Sequence, residues 1–313
     1  MNDALVVAVV LNWNAYDETI DCVNSLLNSS YKNLQIVIVD NHSTDDSAKI
    51  IRETFPNIKL ICNKSNNGYA GGNNLGIKYA LDINADYILI LNNDVTVDKS
   101  MVDILVKKLD QEPTLGVITG KVFYKDDPKR IFSGFGKFIW WRCSGVNRGT
   151  MFSRFYLHNR EGKVNYISGV LFLARSEVFK SLGLLDEKYF MYFEDLEFSF
   201  RVSQKYDLFY IPYAIAFHKS GGGTRWSNYS EIYLYYQTRN RLIVFENKNI
   251  IYRLYVIAFT IFITVSKSIT ILFASIKNGK SFAKRIDALW KGLKDGLVYN
   301  LNKNDLNNIK VLK

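Results

Sequence analysis

Residues 5–14 read Leu5-Val6-Val7-Ala8-Val9-Val10-Leu11-Asn12-Trp13-Asn14. An unbroken run of seven apolar residues, four of them valine, ends abruptly at asparagine. A strand with one wet face would alternate, so this run predicts a strand buried on both faces. The pattern continues outward. Residues 17–28 carry Ile20, Val23, Leu26 and Leu27 at helical spacing, and 34–39 form a second apolar run. Residues 46–55 read as a helix that stops before Pro56, 58–62 as a strand, 70–81 as a helix and 87–91 as a fourth strand. A helix over 100–109 and a short strand over 116–119 follow. This alternation predicts a doubly wound, mostly parallel α/β sheet. Such sheets bind ligands beyond the carboxyl ends of their strands.

The polar residues collect at those ends. The first strand runs into Asn12-Trp13-Asn14, and the second into Asp40-Asn41-His42-Ser43-Thr44-Asp45-Asp46. The third leads to Asn66-Asn67-Gly68-Tyr69-Ala70-Gly71-Gly72-Asn73-Asn74, and the fourth to Asn92-Asn93-Asp94. One such cluster alone reads as a turn or a cap, as Asp45 or Asp46 does before the helix at 46–55. Four at one sheet edge read as a binding site. The glycines at 68, 71 and 72 would let backbone approach a ligand closely. Their spacing is not G-x-G-x-x-G and no G-K-[ST] follows, which excludes a dinucleotide fingerprint and a P-loop.

The chain has 313 residues, 48% of them apolar, with a net charge of +10. That supports a packed core and argues against a disordered or fibrous chain. Residues 248–313 hold twelve basic and three acidic residues, a net +9, which leaves +1 for residues 1–247. A nucleic-acid enzyme would spread its basic charge over the body, so nucleic acid is not an expected partner. The asymmetry places a boundary near Asn247, with a body over 1–247 and a helical tail over 248–313. In the tail, residues 254–276 are uncharged except for Lys267. They could just cross a bilayer, which takes about 20 residues, if Lys267 snorkelled. Residues 280–300 place Phe282, Ile286, Leu289, Trp290, Leu293 and Leu297 on one helical face, with lysines and an arginine mostly opposite. A basic amphipathic helix suits an anionic membrane surface. The alternative is packing on its own domain or on a second copy in a homo-oligomer. Cys22, Cys62 and Cys143 form no C-x-x-C pair. They argue for a reducing cytosol and against disulfides or a thiolate metal site. The start carries no basic segment, and residues 4–11 are too short for a secretory leader.

Six motifs in order, VVLNWN, IVIVDNHSTDDS, NNGYAGGNNLGI, ILILNNDV, FEDLEF and HKSGGG, resemble glycosyltransferase family 2 with the GT-A fold, over about residues 4–245. Among its members the chain is most similar to rhamnosyltransferase-like enzymes of bacterial surface polysaccharide and cell wall synthesis. The resemblance implies an inverting transfer of rhamnose or another hexose from a dTDP- or UDP-sugar. The acceptor would be a lipid-linked or nascent glycan. The basic, apolar tail over 248–313 adds work at the cytoplasmic face of the cell membrane, with the enzyme peripheral or monotopic through it.

The resemblance also implies roles. Asp40 would accept a hydrogen bond from a uracil or thymine ring; alone, it reads equally as an Asx-turn. Asn12, Asn14 and Asn41 would line the same nucleotide pocket, joined by Asn67, Gly68, Gly71, Gly72, Asn73 and Asn93. Asn92-Asn93-Asp94 stands where the family has D-x-D. Asp94 would hold Mg2+ or Mn2+ against the diphosphate, with Asn92 offering only a neutral carbonyl oxygen. His218 would reach the same ion, although a lone histidine is otherwise structural. Asp195 would be the general base on the acceptor hydroxyl, and Glu194 would orient the loop or acceptor. Both acids also favour a helix N-terminus. Gly169 would leave room for the hexose. Gln237-Thr238-Arg239-Asn240-Arg241 departs from the Q-x-x-R-W of processive synthases, which argues against long polymerisation. Arg239 or Arg241 would pair with diphosphate, or both are solvated helix charges. Residues 123–165, with Trp140, Trp141, Arg142, Arg148, Arg154, Tyr156, His158 and Arg160, suit an acceptor bearing sugar rings and a diphosphate lipid, or form an ordinary loop. Two other readings remain. A sugar nucleotidylyltransferase would need a basic Gly-rich loop where Asn12-Trp13-Asn14-Ala15 stands. An inactive glycan-binding scaffold is favoured only by Asn92.

Overall fold

The computed structural model describes residues 4–147, 159–219, 230–278 and 282–301, without the side chains of 275–278 and 301. The expected Arg148, Arg154, Tyr156 and His158, the glycines of HKSGGG and the last lysines lie outside the described residues. The chain forms an α/β unit (1–139, 145–190, 194–220) and a helical unit (140–144, 191–193, 221–313). This division follows packing, whereas the expected division at Asn247 follows charge.

The α/β unit opens with β1 (Val6–Asn12), α1 (Tyr16–Leu27), β2 (Leu34–Asp40), α2 (Ser47–Thr54), β3 (Lys59–Cys62), α3 (Gly68–Asp82) and β4 (Tyr87–Asn92). These strands lie in the order β3-β2-β1-β4, all parallel. This is the sheet the apolar runs predict. Val6, Ala8 and Val10 enter one core, and Val7 and Val9 the other, all fully buried. Both faces of β1 are covered, which is why its sequence does not alternate. Register places Asn12 beside Asp40 and Leu11 beside Asn92. Three polar strand ends thus meet at one edge.

Beyond β4 the chain departs from simple alternation. It runs through β5 (Val95–Val97), α4 (Met101–Gln111), β6 (Leu115–Tyr124), β7 (Ile131–Ser133), β8 (Gly136–Ile139), β9 (Ser144–Asn147) and β10 (Gly162–Val164). It closes with β11 (Leu171–Arg175), α5 (Ser176–Leu182), α6 (Glu194–Val202) and β12 (Asp207–His218). β6 spans ten residues, not the four expected. β11 inserts antiparallel between β4 and β6, and β12 pairs parallel with β6. β5 pairs antiparallel with β12 and sets Val95 opposite His218.

The helical unit contains α7 (Glu231–Ile243), α8 (Ile250–Asn278) and α9 (Ala283–Leu301). Leu234 of α7, Ile271 of α8 and Leu289 of α9 form its core, with Tyr233 and Ile286 against them. A Cβ on Gly292 would stand 2.5 Å from the Tyr235 carbonyl oxygen, and one on Gly296 2.7 Å from Leu242. These glycines let α9 lie close on α7. The apolar stripe expected to rest on a membrane is therefore partly spent inside the protein. Lys267 does not snorkel: it is buried, with Nζ 5.9 Å from the Tyr233 ring.

Candidate active site

At the ends of β1 and β2, Asn12 and Asp40 are locked together. Asn12 Nδ2 donates to Asp40 Oδ1 (2.8 Å) and Ser43 Oγ (3.1 Å), while the Thr19 hydroxyl donates to Asn12 Oδ1 (2.8 Å). The Ser43 hydroxyl donates to Asp40 Oδ1 (2.6 Å), and its N–H to Oδ2 (3.0 Å). Asp40 thus makes a local turn, yet Oδ2 keeps room for another donor. Asn14 adopts φ 51° and accepts from the Thr44 N–H at 2.7 Å. Asn93 Nδ2 donates to Thr19 Oγ1 at 3.0 Å.

The glycine-rich stretch is not a loop. It forms the first turns of α3, and its glycines serve packing. A Cβ on Gly72 would lie 2.4 Å from Leu11, one on Gly71 2.6 Å from the Asn67 side chain, and one on Gly68 2.3 Å from the Phe190 carbonyl oxygen. Gly68 also needs φ +70°. In the direction a Cβ would take, the space at these residues is filled by the protein. Asn41 is buried and likewise spent: its amide donates to Asn66 Oδ1 and the Gly68 carbonyl, and its oxygen accepts from Asn63 and the Asn67 N–H. Asn73 Nδ2 donates to the Tyr69 carbonyl, while its buried Oδ1 has no partner among the described residues.

The pairing of β5 with β12 brings Asp94 and His218 together across 124 positions of sequence. Asp94 Oδ1 lies 3.2 Å from His218 Nε2. Although close, Asp94 Oδ1 forms no hydrogen bond among the described residues, and neither does His218 Nδ1. Burial pushes the Asp94 carboxyl up to about 6 and pulls His218 down to about 4, so the imidazole is neutral at pH 7. Phe132 stacks on it at 4.0 Å and fixes its plane. A carboxylate oxygen and a neutral imidazole nitrogen, close but not hydrogen-bonded, fit two ligands of one divalent ion. No group of three or more His, Cys, Asp or Glu able to hold a metal ion is found among the described residues, so the pair alone would be an incomplete shell. Asn92 holds its place by backbone, donating to the Val170 carbonyl at 3.0 Å.

Glu194 and Asp195 open α6, as their acidity favours. Asp195 Oδ2 accepts from the Tyr166 hydroxyl (2.7 Å) and the Gly169 N–H (3.0 Å), and Oδ1 from the Leu196 N–H (2.8 Å). Glu194 is buried, and its Oε2 has no partner among the described residues. Burial raises both carboxyls above the usual range, and Asp195 raises Glu194 further. Three donors favour the charged form of Asp195 against this burial. Gly169 acts here as a donor. A Cβ on it would point at the Tyr69 ring, 3.1 Å from the hydroxyl, so its bareness accommodates Tyr69.

The segment before Glu194 is strained. Phe190 (φ 63°, ψ −62°) makes a γ-turn, and Tyr192 and Phe193 have φ 65° and 71°. Asn240 of α7 holds it: Nδ2 donates to the carbonyls of Met191 (2.9 Å) and Tyr192 (2.8 Å). Its neighbours Arg239 and Arg241 are both buried, so neither is a solvated helix charge. Tyr166, Tyr69 and Asn240 carry no sequence signal of these roles.

A model of glycosyl transferase family 2 matches residues 7–183, more than half of the chain. The chain belongs to glycosyltransferase family 2. Several curated relatives of this family 2 chain act on sugars. It is 28% identical over 180 residues to the low-salt glycan biosynthesis hexosyltransferase Agl10 of Haloferax volcanii, a match covering 55% of this chain and 54% of that protein. The chain thus spans about half the length of that relative. It is 26% identical over 221 residues to the N-acetylglucosaminyl-diphospho-decaprenol L-rhamnosyltransferase of Mycobacterium tuberculosis, covering 64% and 71%. It is 25% identical to the dTDP-rhamnosyl transferase RfbF of Shigella flexneri, covering 78% and 81%. Among solved structures, the mannosyltransferase PcManGT of Pyrobaculum calidifontis, in complex with GDP-Man and Mn2+, superposes with TM-score 0.56 at 14% identity, covering 96% and 88%. That likeness shows the GT-A fold.

Proposed function

We propose that the chain is an inverting, divalent-metal-dependent hexosyltransferase. It would move rhamnose or another hexose from a dTDP- or UDP-sugar to a lipid-linked or nascent glycan at the cytoplasmic membrane face. The observation that carries this reading is the Asp94–His218 pair, two ligating atoms 3.2 Å apart at the sheet edge that also holds Asp40. Asp40 Oδ2 receives the N3–H of a pyrimidine base. Asp94 and His218 hold Mg2+ or Mn2+, which when bound supplies positive charge to the leaving diphosphate. Asp195, kept ionised by Tyr166 and Gly169, takes the proton of the attacking acceptor hydroxyl. That hydroxyl forms the new bond at the anomeric carbon as the bond to the diphosphate breaks, and configuration inverts.

Membrane association rests on α8. Its buried residues are Val256, Thr260, Thr264, Lys267 and Ile271. Ile251, Leu254, Ile261, Phe262, Val265, Ile269 and Phe273 are exposed. Thr260, Thr264 and Lys267 face inward while seven large apolar side chains face outward, unlike a helix solvated by water. Ile250–Ala274 is long and apolar enough to cross a bilayer. Near its first turns stand the exposed Trp140 and Trp141, whose carbonyls accept from Tyr252 and Tyr255 of α8. Lys248 lies 5.3 Å over Trp140. Such aromatic and basic belts suit a headgroup layer.

A donor panel of dTDP-rhamnose, UDP-glucose, UDP-galactose, UDP-GlcNAc and GDP-mannose, run with and without chelator, tests the reading. Chelator-sensitive turnover of a pyrimidine donor is expected. Preference for GDP-mannose would contradict the role of Asp40, and turnover indifferent to chelator would contradict that of Asp94 and His218.

A further inference from the structure

Within the α/β unit, one side chain ties the start of α3 to the backbone beside Asp195. It is Tyr69, in the first turn of that helix, whose hydroxyl donates to the Gly169 carbonyl. The ring lies on the bare face of Gly169, where an added Cβ would stand 3.1 Å from the hydroxyl and 3.3 Å from Cε1. The next carbonyl, of Val170, accepts from the Asn92 N–H at 3.0 Å. Held on two consecutive carbonyls, this backbone aims the Gly169 N–H at Asp195 Oδ2, 3.0 Å away. Tyr69 is itself firmly seated. Asn73 Nδ2 donates to its carbonyl at 2.9 Å, and the following N–H, of Ala70, donates to the Phe190 carbonyl at 3.2 Å. Asn74 of the same helix donates to the Leu185 carbonyl and to Glu187 Oε1, both at 2.9 Å. At the other side Asn41, next to Asp40, donates to the Gly68 carbonyl at 3.0 Å. The start of α3 thus braces the end of β2 against the segments around the base. Burial, then Glu194, Asp195 and Asp94, raise the Tyr69 phenol above its ordinary value, so the hydroxyl keeps its proton.

Resting on the transferase reading, in which Asp195 is the base, we propose that Tyr69 is a positioning residue for that base: it fixes Gly169, and through the Gly169 N–H it fixes the Asp195 carboxylate. Glycine has the widest backbone freedom of any residue, so a glycine N–H that must hold one direction needs an outside contact. Tyr69 is that contact. A phenol has one proton to donate, and here it is spent on a backbone carbonyl, so Tyr69 does not donate to a sugar. The titratable groups around Asp195 are Glu194 beside it on α6, Tyr166 ahead of β11 and Tyr69 on α3. Tyr166 donates to Asp195 directly, whereas Tyr69 acts through the backbone.

The test joins kinetics to amide hydrogen exchange on the full chain. Tyr69→Phe keeps the ring and removes the bond to the Gly169 carbonyl. Its kcat should fall roughly tenfold, the scale of a modest misplacement of a reacting group, with donor KM within a few-fold of the parent. The acid limb of its pH–rate profile should move to higher pH, but less than in Tyr166→Phe, because the Gly169 N–H is loosened rather than removed. Gly169→Ala pushes the Tyr69 hydroxyl away and should act in the same direction. In its presence Tyr69→Phe should cost little more, since the contact is already broken. Gly169→Ala also carries the test if Tyr69→Phe does not fold. Without any donor, protection of the Gly169 amide should drop about tenfold in Tyr69→Phe, while the amides of β1 exchange as in the parent. An acid limb that stays in place would overturn the proposal, and so would a Gly169 amide as protected as in the parent. A rise in donor KM at constant kcat would overturn it too, by making Tyr69 a donor-binding residue. Exchange needs no turnover, so the two failures are distinct. A parent chain that transfers no sugar sinks the transferase reading, and unchanged protection at Gly169 sinks this one.

Discussion

Three donors, from Tyr166, Gly169 and Leu196, favour the charged form of Asp195 against the burial that raises its carboxyl. Burial and the neighbouring Asp195 raise Glu194, against which its own backbone N–H gives support. Both carboxyls bind a proton more tightly folded than unfolded, so they cost stability above their folded pKa, and that cost fades as pH falls through it. Activity needs ionised Asp195, so the acid limb of the pH–rate profile should lie above the ordinary carboxylate range. Glu194→Gln replaces a carboxylic acid by its neutral isostere and should leave that limb in place. Tyr166→Phe removes a donor to the ionised form and should move it to higher pH. An unchanged profile in Tyr166→Phe would remove the support that Tyr166 gives to the charge. The placement of Asp94 after a strand and of Asp195 at a helix start was legible in sequence, whereas the roles proposed for them come from the resemblance to the family. Tyr166 was not: it sits in Asn165-Tyr166-Ile167 with nothing to mark it, and only the placement of β11 and α6 brings it to the base. Gly71, Gly72 and Gly169 were legible as positions but not in purpose, because a bare backbone can serve a ligand or a neighbouring side chain equally well.

At the level of elements, β1 and β4 were readable because burial on both faces writes unbroken apolar runs into sequence, while β3 is a short edge strand of partly exposed residues. β11 was hidden, since Leu171–Arg175 is short and pairs antiparallel with strands about 50 and 80 positions away. The turn at Phe190–Phe193 was also hidden, as no local rule predicts three aromatic residues at positive φ. Its strain must be offset elsewhere, and the two hydrogen bonds from Asn240 hold part of it. Asn240→Ala should lower kcat by roughly tenfold to a hundredfold, the effect expected of a lost positioning contact, with KM for the donor nearly unchanged. A rise in donor KM at constant kcat would mean that Asn240 serves nucleotide binding instead. Asn240→Asp should not rescue, because a carboxylate cannot donate to two carbonyls.

For the whole molecule, sequence placed the positive charge in the tail but assigned the apolar faces incompletely. The stripe of α9 is partly used on α7, while the free apolar surface belongs to α8. The reason is that periodicity marks an apolar face without saying what covers it. Glutamate at Phe262, Val265 and Ile269 together should release the protein from anionic vesicles, since charge on a lipid-facing surface is costly. The α/β unit should stay folded, as measured by retained nucleotide binding. Binding to vesicles undiminished by the triple change would refute the membrane role of α8. The proposed transfer requires a carboxylate base on the acceptor hydroxyl. The most direct measurement is sugar transfer from the preferred dTDP- or UDP-sugar by the parent chain and by Asp195→Asn, each at matched nucleotide occupancy. The account predicts a loss of about a hundredfold or more in kcat with donor affinity retained. Turnover within a few-fold of the parent would contradict it.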